Sequence, residues 1–290
     1  MIVFHHNDAD GRAAAAVVLK WYAENGPDPV GPDRCVCIEM GYKDPLSLSL
    51  IAPKETVAIV DFSFKPVEFI PLRDHTPNVI WCDHHKTAME YSYASENIVG
   101  LRDFTDKGLS GCEVTWRFFF PHNPLPSALR LLGDYDAWRM EDKPKCLEFY
   151  EGLKLRDTSP FSSIWSALLQ DPCPLIGQII GEGQAAMMYR DTYCASIRKS
   201  YGYETVIDGH RAFAVNIYGF GSQGHGELFS KYPVCAAYVF DGRRFTVSLY
   251  SESVDVGEIC KKFGGGGHKG AAGFVCKELP FVPQTEVGER

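Results

Sequence analysis

Asp83-His84-His85 closes an apolar run, Asn78-Val79-Ile80-Trp81-Cys82, and two other clusters are placed in the same way. His5-His6-Asn7-Asp8-Ala9-Asp10-Gly11 follows Met1-Ile2-Val3-Phe4, and Asp61-Phe62-Ser63 follows Thr56-Val57-Ala58-Ile59-Val60. Asp134 and Asp136 add a further pair after an apolar stretch ending at Leu132. Taken singly, each has an ordinary explanation. Asp10 suits a helix N-cap, Asp8 a solvated turn, and Asp61 a turn whose Ser63 caps the segment after it. Taken together they do not, because carboxylates crowded on one rim repel unless a cation compensates them. Mixed Asp oxygens and His nitrogens suit Mn²⁺, with Mg²⁺, Co²⁺ or Zn²⁺ as substitutes. Two such ions sharing a carboxylate make a hydrolytic centre.

That chemistry needs strands ending side by side, and the first half of the chain alternates strand and helix signals. Gly11 to Tyr22 is Ala-rich and predicts a helix packed on a sheet. Residues 34–40, 56–60 and 79–82 predict further strands, and Ser110 to Phe120 a helix stopped by Pro121. Leu125 to Leu132 predicts a helix leading into Gly133-Asp134-Tyr135-Asp136. Alternation of this kind implies βαβ units and a mainly parallel sheet flanked by helices, with its site at the carboxyl ends of the strands.

From about residue 145 to 200 the pattern is helical, and Ala185 to Lys199 predicts a connecting helix. Beyond it, Tyr203 to Ile207 with Arg211 to Ile217, and Val234 to Phe240 with Arg244 to Tyr250, read as hairpins. Val256 to Phe263 reads as a short helix that runs into Gly264-Gly265-Gly266-Gly267-His268-Lys269-Gly270. The expected architecture is therefore α/β in two domains. The first spans 1–185, with its helical connector reaching about 200, and a smaller one with a mixed sheet spans 201–290. Bare glycine backbone can approach an anion closely, and His268 and Lys269 can add donors or charge. The bland alternative is a flexible loop after a helix C-cap. The Gly-Lys-Ser/Thr ending of a P-loop is absent.

Apolar content of 45%, charged content of 23% and a net charge of −8 describe a globular protein without a basic stripe for long nucleic acid. A small or short phosphorylated substrate tolerates an acidic body when metal supplies the positive charge. No run approaches the ~18 apolar residues of a membrane span. The ten cysteines form no Cys-x-x-Cys pair, so reduced thiols and a cytoplasmic location are expected.

Asn7-Asp8-Ala9-Asp10-Gly11, Asp61-Phe62-Ser63, Asp83-His84-His85-Lys86 and Gly133-Asp134-Tyr135-Asp136 resemble, in order, the four motifs of the DHH phosphoesterase superfamily. Gly264 to Gly273 resembles the glycine-rich signature of its associated C-terminal substrate-binding domain. The likeness is to the oligoribonuclease and cyclic-nucleotide phosphodiesterase branch, whose members carry His-Asn-Asp-x-Asp-Gly-Arg and Gly-Gly-Gly-Gly-His. The resemblance implies one metal on His6, Asp8 and Asp61. It implies a second on Asp10, Asp61, His84 and Asp134, with Asp61 bridging. His6 is preferred to His5, and Asp134 to Asp136 because Trp138 follows Asp134 by four, as in relatives. His85 would bind phosphate or assist the leaving group. Gly265, Gly266, Gly267, His268 and Lys269 would hold the far end of the substrate across a cleft between the domains. Many relatives carry Arg where this chain has Ser248-Leu249-Tyr250-Ser251, so Lys269, Arg243 or Arg244 would grip phosphate, or Tyr250 would stack on a base. The implied activity is two-metal hydrolysis of short oligoribonucleotides or of linear and cyclic dinucleotides, by a monomer or homodimer. A phosphatase for nucleoside bisphosphates or pyrophosphate, and a nucleotide sensor without turnover, are the competing readings.

Overall fold

The computed structural model describes residues 1–26 and 35–284; the expected strand start at residue 34 lies outside them. By internal contacts the chain divides into two units, Met1–Ala185 and Ala186–Arg290.

The first unit opens with β1 (Ile2–His6), α1 (Ala9–Asn25), β2 (Val36–Met40), β3 (Val57–Val60), α2 (Pro66–His75) and β4 (Val79–Cys82). It continues through α3 (Gly111–Phe119), α4 (Ser127–Asp136), α5 (Lys143–Leu153) and α6 (Ile164–Leu168) into α7 (Pro174–Tyr201). The sheet runs β2-β1-β3-β4 and every pairing in it is parallel. Alternation along β3 sorts its side chains to two cores. Ala58 and Val60 pack with Val3 and the Ala13–Val18 face of α1, whereas Val57 and Ile59 pack with Ile2, Phe4, Phe69 and Leu72. Both faces are thus covered, which is why β3 and β4 are uniformly apolar. Full burial of each Val, Ile or Leu contributes roughly 1.5–3 kcal/mol. Small alanines let α1 lie close on the sheet, which fixes where the β1–α1 turn emerges. Strand order reverses between β1 and β3, and the crevice at such a reversal is where open α/β sheets bind ligands.

Two departures bear on the site. Helix α4 does not stop at Leu132 but continues through Gly133 to Asp136. Asp8, not Asp10, caps α1: its side chain accepts from Gly11 N, and Asp10 lies in the first turn. The sequence reading also passed over α2, because Pro66 and Pro71 obscure its pattern. Pro66 sits in the first turn, where no amide hydrogen is needed.

The second unit pairs β5 (Gly202–Ile207), β6 (His210–Asn216), β7 (Val234–Phe240), β8 (Phe245–Tyr250), β10 (Ala271–Cys276) and β9 (Gly266–His268) in that spatial order. Only β6–β7 is parallel. Asp208 and Gly209 both have positive φ, as a two-residue hairpin turn requires. Helix α8 (Val256–Lys262) buries Val256, Ile259 and Cys260 in this unit's core. The glycine run after it is not simply a loop: Gly266 and Gly267 belong to the edge strand β9, paired with β10. A Cβ at Gly265 would lie 2.1 Å from the Gly273 carbonyl oxygen, so the close backbone approach demands glycine there.

All ten cysteines are free. Among the described residues no helix is long and apolar enough to cross a membrane.

Candidate metal centre

Strands β1, β3 and β4 end beside one another, and each delivers chemistry in the residues that follow. Asp61, directly after β3, sits at the middle. It is 1% exposed, and neither carboxylate oxygen has a hydrogen-bond partner. Its φ of +51° places it in the left-handed region, which turns the chain out of the strand.

Three groupings converge here, two sharing Asp61 and the third joined to them through His84. His6, Asp8 and Asp61 bring ligand atoms together, as do Asp61, His84 and His85, and also Asp10, His84 and Asp136. His84 Nε2 lies 3.1 Å from Asp61 Oδ1, 3.3 Å from Asp136 Oδ2 and 3.9 Å from Asp10 Oδ2. His6 Nδ1 lies 2.6 Å from Asp8 Oδ2 and 4.0 Å from Asp61 Oδ2. Asp8 serves twice, because its other oxygen accepts from Gly11 N at 2.9 Å. A Cβ at Gly11 would fall 2.4 Å from the His6 carbonyl oxygen, so the turn closes only on glycine. His5 is buried, its Nδ1 bonded to the His6 carbonyl at 2.8 Å, and it belongs to none of the three groupings.

Asp134 and Asp136 stand opposite to expectation. Residues two apart on a helix project about 200° apart, so only one of them can face the centre. That one is Asp136. Asp134 instead accepts from Arg139 Nε at 3.0 Å. The motif forms the last turn of α4, which brings Asp136 rather than Asp134 to His84.

Electrostatics make the cluster costly as it stands. Burial, then the charges of Asp10, Asp8, Asp136 and Asp83, push Asp61 well above the ordinary carboxylate range. Burial and the charges of Asp10 and Asp8 push Asp136 up to about 9. Burial holds His84 below its usual value. A fully buried carboxylate without a hydrogen bond, ringed by acids and imidazoles, fits a divalent cation, which would pair with both its oxygens and reverse these shifts.

His85 is organised differently. Its Nδ1 lies 2.8 Å from Asp83 Oδ1, an oxygen that also accepts from the amides of His84 at 2.8 Å and His85 at 3.3 Å. Ser63 donates to the other oxygen of Asp83. A carboxylate only accepts, so Nδ1 carries the proton and Nε2 is left for other partners. Burial opposes the charge on His85, but Asp83, Asp8 and Asp10 outweigh it and raise its pKa. The sequence assigns Asp83 no role of its own, although it stands first in its motif. Tyr42 was also missed: its half-exposed ring lies 5.3 Å from that of His6 and 5.8 Å from that of His85.

In the second unit, Gly265 is half-buried and Gly266, Gly267, His268 and Lys269 are exposed. The Lys269 carbonyl accepts from Val256 N at 3.0 Å, tying the motif to the start of α8.

Comparison with known proteins follows this division. Residues 1–132 match the model of the DHH family, N-terminal domain. An uncharacterized protein of Acanthamoeba polyphaga mimivirus is 25% identical over 250 residues. That match takes in 81% of this chain but only 57% of the relative, so the chain spans little more than half of that protein's length. Among solved structures, a pGpG-specific phosphodiesterase from Vibrio cholerae superposes with a TM-score of 0.56 at 13% identity, over 95% of this chain and 92% of that one. RecJ of Thermus thermophilus in complex with Mn²⁺ superposes with a TM-score of 0.50 at 14% identity, over 95% of this chain and 49% of that one. At such identities the likeness is one of fold. The strand ends that carry His6, Asp8, Asp10, Asp61, His84 and His85 all lie within the residues that match this model, so the first unit is similar to the N-terminal domain of the DHH family.

Proposed function

We propose that the protein hydrolyses phosphodiesters of short oligoribonucleotides or of linear and cyclic dinucleotides, releasing nucleoside monophosphates. The observation that carries this reading is Asp61, fully buried with neither oxygen hydrogen-bonded and shared by two of the three ligand groupings. His6, Asp8 and Asp61 would hold one divalent cation; Asp10, Asp61, His84 and Asp136 would hold the other. Such ions, when bound, lower the pKa of water and neutralise phosphoryl oxygens. Mn²⁺ is the expected metal, in keeping with the manganese in the Thermus RecJ structure. The pGpG specificity of the Vibrio protein supports a dinucleotide-sized substrate, as does the net charge of −8.

This chain's own groups then do the rest. His85, its Nδ1 held by Asp83, presents Nε2 to a substrate oxygen and donates a proton to the leaving group. Tyr42 screens the mouth from water and offers a ring face to a base. The second unit would act as a substrate-binding domain through Gly265, Gly266, Gly267, His268 and Lys269. Its contribution would be to bind and orient the substrate, which supplies proximity rather than chemistry.

The test is a panel of di- to pentanucleotides, cyclic dinucleotides, 3′-phosphoadenosine 5′-phosphate and pyrophosphate, each with Mn²⁺ or Mg²⁺. Nucleoside monophosphate from dinucleotides, lost in Asp61→Asn, is the expected result. Orthophosphate from the bisphosphate instead would favour a phosphatase, and tight binding without product would favour a sensor.

A further inference from the structure

Arg139 lies just beyond Asp136 and is bonded on every side. Nε donates to Asp134 Oδ1 at 3.0 Å, and Nη1 to the Gly108 carbonyl at 2.6 Å and Glu113 Oε2 at 2.8 Å. Nη2 donates to Glu113 Oε1 at 2.9 Å, completing a two-point grip on that carboxylate. The side chains of Arg139, Glu113 and Asp134 are 13%, 3% and 5% exposed, so this is an interior cluster with little solvent screening.

The bonds continue inward. Glu113 accepts from Ser110 N at 2.9 Å in the capping box of α3. Ser110 Oγ donates to Asp10 Oδ1 at 2.9 Å, and Cys112 N donates to the same carboxylate at 3.2 Å. Gly133 of α4 packs so tightly here that a Cβ would lie 2.5 Å from the Glu113 carboxylate and 2.9 Å from Ser110 Oγ. In the other direction, Arg139 grips the last turn of α4 through Asp134, next to the helix end that presents Asp136. The chain between reverses sharply, with Trp138 and Met140 both at φ +55°, a region costly for residues with large side chains. One guanidinium therefore ties together the start of α3, which orients Asp10, and the end of α4, which presents Asp136. The His6–Asp8 side is built separately, from the α1 cap.

We propose that Arg139 is the positioning residue for one half of the metal centre: it holds Asp10 and Asp136 in place around His84 and leaves the His6–Asp8 half unaffected. This rests on the two-metal reading above. It requires the two cations to respond differently to loss of Arg139, which a general stabilising role does not.

The experiment is titration of the metal-free 290-residue protein with Mn²⁺, counting free ion by electron paramagnetic resonance, with circular dichroism checking the fold. Wild type, Arg139→Gln, Arg139→Lys, Asp8→Asn and the Asp8→Asn/Arg139→Gln double variant are compared. Wild type is expected to bind two ions. Arg139→Gln keeps one at wild-type affinity and weakens the other by about 10- to 100-fold, the usual effect of removing an outer support. Arg139→Lys retains charge but not the planar fork, so it weakens the same ion less. Asp8→Asn weakens the ion that Arg139→Gln spares, and the double variant weakens both. Unchanged binding in a folded Arg139→Gln overturns the proposal, and so does equal weakening of both ions. If Arg139→Gln does not fold, Arg139→Lys decides by the same comparison, and failure of both to fold assigns Arg139 to the fold alone. A wild type that binds no Mn²⁺ overturns the centre itself, and this role with it.

Discussion

Asp136→Asn should make the metal-free protein less sensitive to alkali. Burial together with Asp10 and Asp8 lifts the Asp136 carboxyl to about 9 from an ordinary 3.8, and its side chain is only 25% exposed. Across that window the folded chain keeps a proton that the unfolded chain has already released. Stability from this group is complete below pH 3.8 and drains away as pH rises towards 9. Between pH 7 and 9 the loss amounts to about 2 kcal/mol for this group alone. Asp61, raised for the same reasons, adds to it in the same direction. Urea unfolding in a chelator, followed by tryptophan fluorescence at pH 7, 8 and 9, reads the effect directly. Wild type should lose about 2 kcal/mol more than Asp136→Asn over that range, and saturating Mn²⁺ should flatten the wild-type slope by keeping the carboxylates ionised. Equal slopes in the two proteins, or a wild type that gains stability with pH, would refute the account of this cluster.

Other outcomes follow from single contacts. Gly111→Ala places a Cβ 2.4 Å from Asp61 Oδ1. It should cost about 1–3 kcal/mol by overpacking and weaken Mn²⁺ binding, both readable in melting curves with and without metal. Asp83→Asn removes the acceptor that orients His85 and should lower kcat by about 100-fold or more with KM little changed, as steady-state kinetics on a dinucleotide would show. His225 is fully buried with both ring nitrogens unpartnered, and burial and then the Arg198 charge lower its pKa to about 4. Here the unfolded chain binds the proton first, so about 2 kcal/mol of stability should disappear between pH 7 and 5. His225→Leu should remove that part of the acid sensitivity in the same urea titrations.

The parallel sheet was legible because β1, β3 and β4 are short apolar runs bounded by acids, and burial on both faces leaves no other composition for them. The convergence of His6, Asp8, Asp10, Asp61, His84 and His85 was legible for a related reason: they lie at or just beyond the ends of those strands, and strand ends converge. What failed was the continuation of α4. Gly133 reads as a helix stop, yet it is glycine because Glu113 and Ser110 occupy the space of its side chain, and the helix runs on through it. That extension sets Asp136 beside His84 and turns Asp134 to Arg139. Arg139 and Asp83 were obscure because their partners, Glu113 and Ser63, are about 20 or more residues away in the chain and have meaning only through packing. The glycine motif was visible as a motif, but nothing local distinguishes a glycine loop from a glycine edge strand, which depends on β10 lying alongside.

The left-handed backbone at Asp61 has an evolutionary consequence. Asparagine and glycine best share aspartate's tolerance of that conformation, so replacement by alanine or a bulkier apolar residue strains the turn as well as removing the charge. Alanine at this position conflates a folding defect with a chemical one, whereas asparagine isolates the chemistry. Descendants of this protein that abandoned hydrolysis while keeping the scaffold should accordingly be identifiable by an asparagine or a glycine at this one codon.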